Sequence, residues 1–560
     1  MSELIKITVV INDEKPHGEN DGTSDGEKEL TQEAALTLMP VLLKNGLLDG
    51  SFCGGRGDCG RCVVQFLKGV PLPTGLERSR LEPEELRQGY RLACVTRPKT
   101  DCTVRVVGAQ EVKTPIVTEI TKTGADIIAN TEMQEIDSGK ENACYIAAVD
   151  LGTTTIAMQL KDAATGKVAD TYCEMNPQRK YGTDVLARIQ ASVEGQGEDL
   201  RRLVCGVILR GLRQFAKNLQ KKAGEGTLSD RLIPVNEKGN AGKILGMCIA
   251  GNTVMEHLLL GMDVSSLGKA PFVPVEKGLQ SITAAYLFAG MEEWSEDLRM
   301  VDGGALFDMP VYIAPCMSAF VGGDIVAGLY ALGLLPDRQA ENGERQAALF
   351  IDLGTNGEMV ITDGQRMIVT AAAAGPAFEG DGTMMGTDRI ALTAQLLQSG
   401  ILDETGLLKE PYFTQGVRIE DAREVAAAGR QVKNGCYFKQ EDVRSLQMAK
   451  AAVRAGVEIL WEEMGRPEIE KVFLAGGFGY YLDVEAAVAV GLLPSHMRGR
   501  VRAAGNTSLA GAYEMGRDLC GKRLDAASLE ERTHLAESIN LADTERFEGL
   551  YLKYMNLGEN

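Results

Sequence analysis

Two short acidic turns constrain the fold of this chain more than any other feature of its sequence. Asp150-Leu-Gly-Thr-Thr-Thr155 lies between the apolar runs 145–149 and 156–160, and Asp352-Leu-Gly-Thr-Asn-Gly-Glu358 lies between strand-like runs in the same way. Each pattern predicts a strand, a tight turn and a second strand, with a carboxylate at the bend. One copy alone is typical of a polar β-hairpin, but two copies indicate an internal duplication.

Two further pairs of segments repeat in the same order along the chain. Ile249-Ala-Gly-Asn-Thr-Val254 ends a strand-like run and opens a helical one, and Phe473-Leu-Ala-Gly-Gly-Phe-Gly479 also follows a strand-like run. Segments 322–333 and 505–516 align without gaps and share Gly, Ala-Gly, Tyr and Gly at matching positions. One matching pair arises easily by chance, whereas three pairs in the same order predict a duplicated α/β unit.

Each acidic turn carries the residue types that bind phosphate groups. Gly152 lets the backbone approach a ligand, and the threonines that follow it offer hydroxyl and N–H groups to an anion. An aspartate beside a phosphate needs a cation between the two, which predicts Mg²⁺. Two such turns facing each other across a cleft hold nucleotide phosphates from both sides. The predicted phosphate-binding residues are Asp150, Gly152, Thr153, Thr154, Thr155, Asp352, Gly354, Thr355, Asn356 and Gly357.

Four of the 12 cysteines form a second pattern near the N-terminus. Cys53, Cys59 and Cys62 are spaced C-x5-C-x2-C in a glycine-rich loop, and Cys94 follows in a separate segment. This set suits a [2Fe–2S] cluster, because a glycine-rich loop can aim backbone N–H groups at the sulfurs. A zinc site and buried free thiols are the alternatives, although structural zinc usually takes two short cysteine pairs. Cys102 falls outside the pattern and is predicted to be a core residue.

Length and composition divide the chain and limit its partners. With 560 residues the chain is too long for one domain. We predict a cluster domain at 1–110, a linker at 111–144, two α/β halves at 145–334 and 335–520, and a helical tail at 521–560. The formal net charge of -19 argues against a nucleic-acid partner. No apolar run is long enough to span a bilayer and the N-terminus lacks a signal-peptide pattern, so we expect a cytoplasmic protein without a membrane partner.

The two patterns resemble two known families. The cysteine loop resembles those of plant-type and adrenodoxin-like ferredoxins, and the duplicated region resembles the superfamily of actin, sugar kinases and heat-shock-protein ATPases. The implied fold class is α/β multidomain: an N-terminal β-grasp [2Fe–2S] ferredoxin domain of α+β type, followed by a duplicated actin-like ATPase of α/β type. In that superfamily the turns at 150–155 and 352–358 correspond to the two phosphate motifs of an ATP site. Segment 474–479 is similar to the adenosine motif, which assigns Gly476 and Gly477 to the nucleoside.

Asp324 is the third candidate catalytic residue, beside Asp150 and Asp352. It lies where actin carries the glutamine that positions the attacking water, and an aspartate there orients that water or accepts its proton. The alternative for Asp324 is a helix N-cap. Glu379 has two open interpretations, a contact with the cleft or a partner and a solvent-facing turn. His257 lies in an apolar helix-like run and is predicted to be a core histidine.

Nearly the whole chain resembles the reductive activators of corrinoid proteins, which serve methyltransferases of anaerobic one-carbon metabolism. The matching motifs run from the cysteine loop at 53–62 to Met555 and include Ala374-Gly-Pro-Ala-Phe-Glu-Gly380. The resemblance implies an ATP-dependent transfer of one electron to cobalt(II) of a corrinoid protein, regenerating cobalt(I), with an external low-potential electron donor. The alternatives are an ATP-dependent electron donor for another low-potential enzyme and a nucleotide-switched, redox-sensing chaperone or scaffold. The oligomeric state stays open, with a homodimer as one expectation.

Overall fold

The structure is a computed structural model that describes most of the chain as two compact units. The described residues are 4–11, 26–34, 36–45, 47, 62–81, 83–106, 144–182, 184–222, 243–291, 308–336, 347–378, 384–419 and 437–558. The predicted linker, apart from its last residue, and Glu379 lie outside the described residues. One unit comprises residues 1–113 and 177–194 and the other comprises 114–176 and 195–560, and each is described by itself.

The first unit contains a five-stranded mixed sheet. Its strands are β1 (Leu4–Ile11), β2 (Gly26–Glu33), β3 (Val63–Lys68), β4 (Tyr90–Leu92) and β5 (Cys102–Val106), in the order β2-β1-β5-β3-β4. Its helices are α1 (Met39–Lys44), α2 (Gly75–Arg80), α3 (Pro83–Arg87), the 3₁₀ turn Pro177–Lys180 and α4 (Val185–Ala191). Strands β1 and β5 are parallel, whereas the other neighbours are antiparallel. Ile5, Ile7 and Val9 are buried and alternate with more exposed residues, because one face of the sheet packs on the core. This topology is the predicted β-grasp.

The second unit contains two six-stranded sheets with the same central topology. The first sheet consists of β6 (Cys144–Leu151), β7 (Thr155–Asp162), β8 (Val168–Met175), β9 (Lys243–Gly251), β10 (Gln280–Thr283) and β11 (Pro310–Ile313), in the order β10-β11-β9-β6-β7-β8. The second consists of β12 (Ala347–Leu353), β13 (Asn356–Thr362), β14 (Met367–Ala373), β17 (Ile469–Ala475), β18 (Val501–Gly505) and β19 (Ala536–Ser538), in the order β18-β17-β12-β13-β14-β19. A separate ribbon pairs β15 (Val417–Arg418) with β16 (Tyr437–Phe438). In both sheets the strand before the acidic turn pairs antiparallel with the next strand and parallel with β9 or β17. The repeated strand order confirms the predicted duplication.

The helices of the second unit follow the same duplication. They are α5 (Gly197–Lys222), α6 (Thr253–Leu260), α7 (Ala284–Leu287), α8 (Gly323–Ala331), α9 (Gly386–Gln398), α10 (Tyr412–Gln415), α11 (Gln440–Glu463), α12 (Gly476–Tyr481), α13 (Val484–Ala489), α14 (Thr507–Cys520), α15 (Ala526–His534) and α16 (Glu545–Lys553). Short 3₁₀ turns occur at Ser265–Gly268, Gly375–Ala377, Ser495–Arg500 and Leu541–Asp543. Helix α5 packs on β7 and β8, and α11 packs on β13 and β14, so the long helices occupy equivalent places. In the described part of the chain, no helix is both long and apolar enough to cross a bilayer.

The two sheets share one apolar core, which lies between them. This core contains Ile146 from the first sheet, Phe350 from the second, and Val326 and Ala512 from the helices α8 and α14. Separate apolar clusters cover the outer side of each sheet. Helix α14 belongs to the second half in sequence but packs on β6 and β9 of the first sheet. The chain therefore crosses between its halves through these helices.

Helices α8 and α14 cross at a point where only glycine fits. A Cβ atom added at Gly511 would lie 1.8 Å from the carbonyl oxygen of Ala327, and one added at Gly328 would lie 2.7 Å from Oγ1 of Thr507. Beyond the crossing, the Tyr330 hydroxyl donates a 2.7 Å hydrogen bond to Asp518. Backbone contact at the crossing thus sets the distance between the two helices.

We predict that Gly511→Ala destabilises the protein strongly. The added methyl group must push α14 away from Ala327, and overpacking of this kind costs on the order of 1–3 kcal/mol. The control is Gly549→Ala, because Gly549 is exposed in α16 and an added Cβ meets nothing within 4 Å. That change should be neutral or stabilising, by up to ~1 kcal/mol. Chemical unfolding measures both variants, and equal stability of the two would contradict the crossing geometry.

A buried lysine connects α11 to the C-terminal tail. Lys450 is fully buried, and its ammonium group donates to the carbonyl oxygen of Asn556. Burial, and secondarily the charge of Arg454, lower the pKa of Lys450 from 10.5 to about 7. Tyr554 of the tail packs with Ala451 and Ala455 of α11, and the Arg454 guanidinium lies 4.4 Å from the Tyr554 ring centre. The tail is therefore hydrogen-bonded to a lysine that loses its proton near neutral pH.

We predict that Lys450→Met changes the pH dependence of stability. Between pH 7 and 10 the folded protein has released this proton while the unfolded chain still holds it. The unfolding free energy of the wild type should therefore rise with pH relative to the variant, by at most ~1.4 kcal/mol per pH unit. Below pH 7 both states hold the proton and the difference should level off. Lys471→Met, at an exposed lysine, is the control for residue type, and a wild-type-minus-variant difference that does not vary with pH would refute the prediction.

Candidate functional site

Two of the four predicted cluster cysteines meet at one end of the first unit's sheet. Val63 pairs with Leu92, which places Cys62 opposite Ala93, and the Ala93 N–H donates a 2.8 Å hydrogen bond to the Cys62 carbonyl. Cys62 and the neighbouring Cys94 are both buried. The strand pairing thus joins the end of the cysteine loop to the segment that carries the distant cysteine. This juxtaposition fits a cluster held by both segments.

Three other cysteines were assigned a role from the sequence, and the structure describes one of them, Cys102. Cys53 and Cys59 lie outside the described residues, so their position relative to Cys62 stays a prediction. Cys102 lies on β5, is buried in the core of the unit, and has its pKa raised to about 11 by burial. Its surroundings confirm that it is a core residue.

A buried glutamate that the sequence analysis missed holds the Cys94 segment in place. The Glu77 side chain is fully buried and accepts hydrogen bonds from the Leu92 N–H, at 2.9 Å, and from the Thr96 hydroxyl. Its other oxygen accepts from the Thr74 N–H at 2.7 Å, which completes a capping box at the start of α2. The Thr-x-x-Glu spacing signals this cap in the sequence. The contacts with Leu92 and Thr96 have no such local signal.

In the second unit, the first acidic turn is held by asparagines from two other segments. Asn176 donates to the Gly152 carbonyl at 2.9 Å, and Asn252 donates to the Thr153 hydroxyl oxygen at 2.9 Å. The Thr154 carbonyl accepts from the Asn176 N–H. Residues 152–155 are all half-buried, so the turn keeps one side open to a ligand. A Cβ at Gly152 would lie 2.5 Å from the Thr155 carbonyl oxygen, so the turn requires glycine there.

The second acidic turn is one residue shorter than the first. Asp352 pairs with Glu358 across β12 and β13, whereas Asp150 pairs with Ala157 across β6 and β7. The Gly354 N–H donates to the Asn356 carbonyl at 2.8 Å and closes the turn. The Thr355 carbonyl accepts from Gly375, and Gly357 is buried against Val453 of α11. Because of the shorter turn, the second hairpin places an acid beside its aspartate and the first does not.

Asp150 is bound by the start of the opposite half's helix. The Asn506 side-chain amide donates to Oδ2 of Asp150 at 2.8 Å, and the Ser508 hydroxyl donates to Oδ1 at 2.9 Å. Burial raises the pKa of Asp150, and these two hydrogen bonds oppose the rise. Both donors are neutral, so they orient the Asp150 carboxylate without cancelling its negative charge.

Asp352 and Asp324 lie close enough for their negative charges to repel each other. Burial, with the charge of Asp352 as the next cause, raises the pKa of Asp324 to about 7. Burial and the charge of Asp150 raise the pKa of Asp352 to about 7 as well. Gly322 occupies the N-cap position of α8, and Asp324 lies in the first turn, where its Oδ1 accepts from the Ile325 N–H at 2.8 Å. The N-cap alternative for Asp324 is therefore wrong in position, although its carboxylate does satisfy a first-turn N–H.

Two further carboxyl groups interact electrostatically with Asp324 or Asp352 and were not singled out from the sequence. Burial, and then the charges of Asp324 and Asp352, raise the pKa of Glu358 well above its usual value. Burial and the charge of Asp324 do the same for the pKa of Glu256 on α6. Glu358 closes the second acidic motif, so a signal for it was present. Glu256 stands in an apolar helical run and gave none.

The predicted adenosine motif lies against the second phosphate turn. Gly476, with φ +73°, begins α12, and a Cβ there would lie 2.5 Å from Oδ1 of Asp352. Gly477 is exposed. On α6 of the first half, His257 is buried, with Nδ1 2.7 Å from the Thr253 carbonyl oxygen and Nε2 accepting from the Glu276 N–H. His257 is the core histidine predicted from the sequence.

The geometry bears on metal binding as well. Among the described residues, no three His, Cys, Asp or Glu side chains are grouped closely enough to hold a metal ion between them. Mg²⁺ usually keeps several waters and binds through one or two carboxylates and the phosphates of its nucleotide. The half-buried Asp150 and Asp352 fit that mode, in which the nucleotide supplies part of the coordination.

Comparison with known proteins assigns a family to each region. Residues 145–337 match the family model described as the RACo middle region. Residues 346–389 and 384–560 match the model of the C-terminal domain of RACo, the ASKHA domain. Residues 22–99 match the 2Fe-2S iron-sulfur cluster binding domain.

Individual relatives cover most of the chain. The corrinoid activation enzyme RamQ of Eubacterium limosum is 28% identical over 469 residues, which are 75% of this chain and 72% of the relative. The [Co(II) methylated amine-specific corrinoid protein] reductase of Methanosarcina barkeri is 23% identical over 455 residues, 73% of this chain and 76% of the relative. The solved structure of a reductive activator for corrinoid, iron-sulfur protein has 23% identity and a TM-score of 0.57, and the match covers 99% of this chain and 98% of that one.

These matches confirm the resemblance and the fold class derived from the motifs. The chain therefore belongs to the RACo family, with a [2Fe–2S] cluster-binding domain ahead of the RACo middle region and the C-terminal ASKHA domain.

Proposed function

We propose that this protein is an ATP-hydrolysing iron–sulfur activase that reductively activates a corrinoid protein. It takes one electron from an external low-potential donor and passes it to cobalt(II), which becomes cobalt(I). The observation that carries the proposal is the combination, in one chain, of a [2Fe–2S] domain with a duplicated ASKHA fold. Two relatives that align with about three quarters of this chain are named as a corrinoid activation enzyme and a corrinoid protein reductase.

The first unit supplies the electron-transfer site in this proposal. Cys53, Cys59, Cys62 and Cys94 would hold the [2Fe–2S] group, whose chemistry is the transfer of single electrons. The paired backbone of Cys62 and Ala93 brings two of these cysteines to one end of the sheet. Glu77 accepts hydrogen bonds from residues on both sides of Cys94 and so orients that ligand. Outer-shell hydrogen bonds that fix the orientation of a metal ligand tune such a site.

The second unit supplies the ATPase site. Asp150 and Asp352 would bind Mg²⁺ of the nucleotide, directly or through water, and the residues of both turns would bind its phosphates. Gly476 and Gly477, at the start of α12, would contact the nucleoside. Asp324 would position the attacking water, because it lies beside both turn aspartates in a site that burial makes poor in water. ATP hydrolysis cannot alter the potential of an isolated redox couple. In this proposal it therefore acts by a conformational change of the two halves that α8 and α14 connect.

The central test follows cobalt directly. Purified protein is mixed with a cobalt(II) corrinoid protein of a methyltransferase system and a reductant too weak to reduce cobalt(II) alone. We expect the visible spectrum to change to that of cobalt(I) only when Mg-ATP is present. ADP in place of ATP is the control. Hydrolysis of ATP without cobalt reduction would favour a nucleotide-switched scaffold, and the absence of any ATP-dependent reduction would overturn the proposal.

Two substitutions should separate the half-reactions. Cys94→Ser should abolish the iron–sulfur absorbance while nucleotide binding survives, whereas Cys102→Ala should keep the absorbance. Asp150→Asn should keep the cluster but lower Mg-ATP turnover by at least ~100-fold, because it removes a carboxylate that would bind the Mg²⁺ of the nucleotide. Asp308→Asn, at an exposed aspartate of the same half, is its control. Unchanged turnover in Asp150→Asn would show that the phosphate assignment is wrong.

A further inference from the structure

Glu256 stands out among the buried carboxyl groups because its side chain contacts both the end of a strand and the start of a helix. It lies on α6, and only 4% of its surface is exposed. Its Oε1 accepts the Gly251 N–H at 3.0 Å, at the end of β9, and the same carboxylate lies against Gly323, close enough for the Gly323 N–H to lower its pKa. Gly251 and Gly323 are far apart in sequence. The carboxylate therefore joins the end of a sheet strand to the first residue of α8.

The start of α8 depends on an acceptor from outside the helix. Its N-cap residue is Gly322, which has no side chain to accept a first-turn N–H. The first N–H groups of a helix need acceptors, and a helix N-terminus favours negative charge. Glu256 supplies that acceptor from α6. Asp324, the next residue after Gly323, accepts from the Ile325 N–H and completes the turn.

The close packing at the start of α8 leaves no room for a side chain at position 322 or 323. A Cβ atom added at position 323 would lie 2.2 Å from Oε1 of Glu256 and 2.7 Å from Cβ of Ala314. A Cβ atom at position 322 would lie 2.5 Å from Cα of Asn252. Because both residues are glycines, the start of α8 packs directly against the start of α6, and the Glu256 carboxylate lies at this contact.

The start of α6 is also attached to the first phosphate turn. Asn252 is the N-cap of α6, where its Oδ1 accepts from the Met255 N–H at 3.0 Å, and its side-chain amide donates to the Thr153 hydroxyl. One short segment of α6 therefore contacts both the phosphate turn and, through Glu256, the helix that carries Asp324. A displacement of Glu256 would move Asp324 relative to Thr153.

We propose that Glu256 is a positioning residue of the ATPase: its carboxylate caps α8 and thereby places Asp324 beside the phosphate turns. The inference rests on the proposed function and extends it to a residue outside the nucleotide motifs. Glu256 acts through Asp324, and its oxygens bind backbone N–H groups. A glutamine at this position retains a carbonyl acceptor, whereas an alanine retains none.

The test compares ATP hydrolysis by the full chain and its variants. Glu256→Gln should keep kcat within about 3-fold of the wild type, and Glu256→Ala should lower kcat by about 10- to 100-fold, the loss expected for a misplaced catalytic group, with little change in KM. Gly323→Ala, which displaces the carboxylate, should behave like Glu256→Ala. In an Asp324→Asn background, Glu256→Ala should cause no further loss, because residues that act as a unit are not additive.

A second measurement separates failure of this inference from failure of the proposed function. Hydrogen exchange of the peptide that contains Gly323 and Ile325 should be faster in Glu256→Ala than in wild type and Glu256→Gln. If the wild type hydrolyses ATP but Glu256→Ala retains its kcat, or loses activity equally in the Asp324→Asn background, the positioning role is overturned. If the wild type does not hydrolyse ATP, the proposed function fails. Independently of that result, unchanged hydrogen exchange in Glu256→Ala would refute the capping of α8.

Discussion

The backbone contact between Gly511 and Ala327 is the constraint on which the rest of the second unit depends. Because α8 and α14 touch at this point without intervening side chains, each helix reaches the sheet of the other half. Their N-termini then lie beside the acidic turns. Asn506 and Ser508 reach Asp150 from one helix, and Asp324 approaches Asp352 from the other. A wider crossing would separate each helix start from its turn.

The two halves share a topology but differ in chemistry at the cleft. Asp150 receives hydrogen bonds from two neutral donors, which stabilise its charge. Asp352 instead faces Gly476, the paired Glu358 and Asp324, so its surroundings contain further acids. The two sides of a duplicated clamp are thus suited to different tasks. Neutral hydrogen-bond donors gather at Asp150, whereas carboxyl groups with raised pKa values gather around Asp352, near the reacting phosphate in the proposed mechanism.

The sequence predicted local features well, for reasons visible in particular residues. The turn at 150–155 and its copy could be recognised because a glycine and polar residues interrupt apolar strands of fixed period. The core role of Cys102 was predicted because this cysteine falls outside the pattern formed by the other four. Glu77 carried a local capping signal, but its hydrogen bonds to Leu92 and Thr96 cross 15 and 19 residues. Its role beside Cys94 needed the sheet.

The sequence by itself determined the duplication, the acidic turns, the cysteine pattern and the family to which they point. These features rest on spacing along the chain, where strand and helix periods and turn residues act over a few positions. Only the tertiary structure decided which carboxyl groups meet. Asp150 finds its donors 356 and 358 positions later, and Glu256 finds Gly323 on another helix. Such partners depend on how α6, α8 and α14 pack, and burial there raises the pKa of groups that look ordinary in sequence.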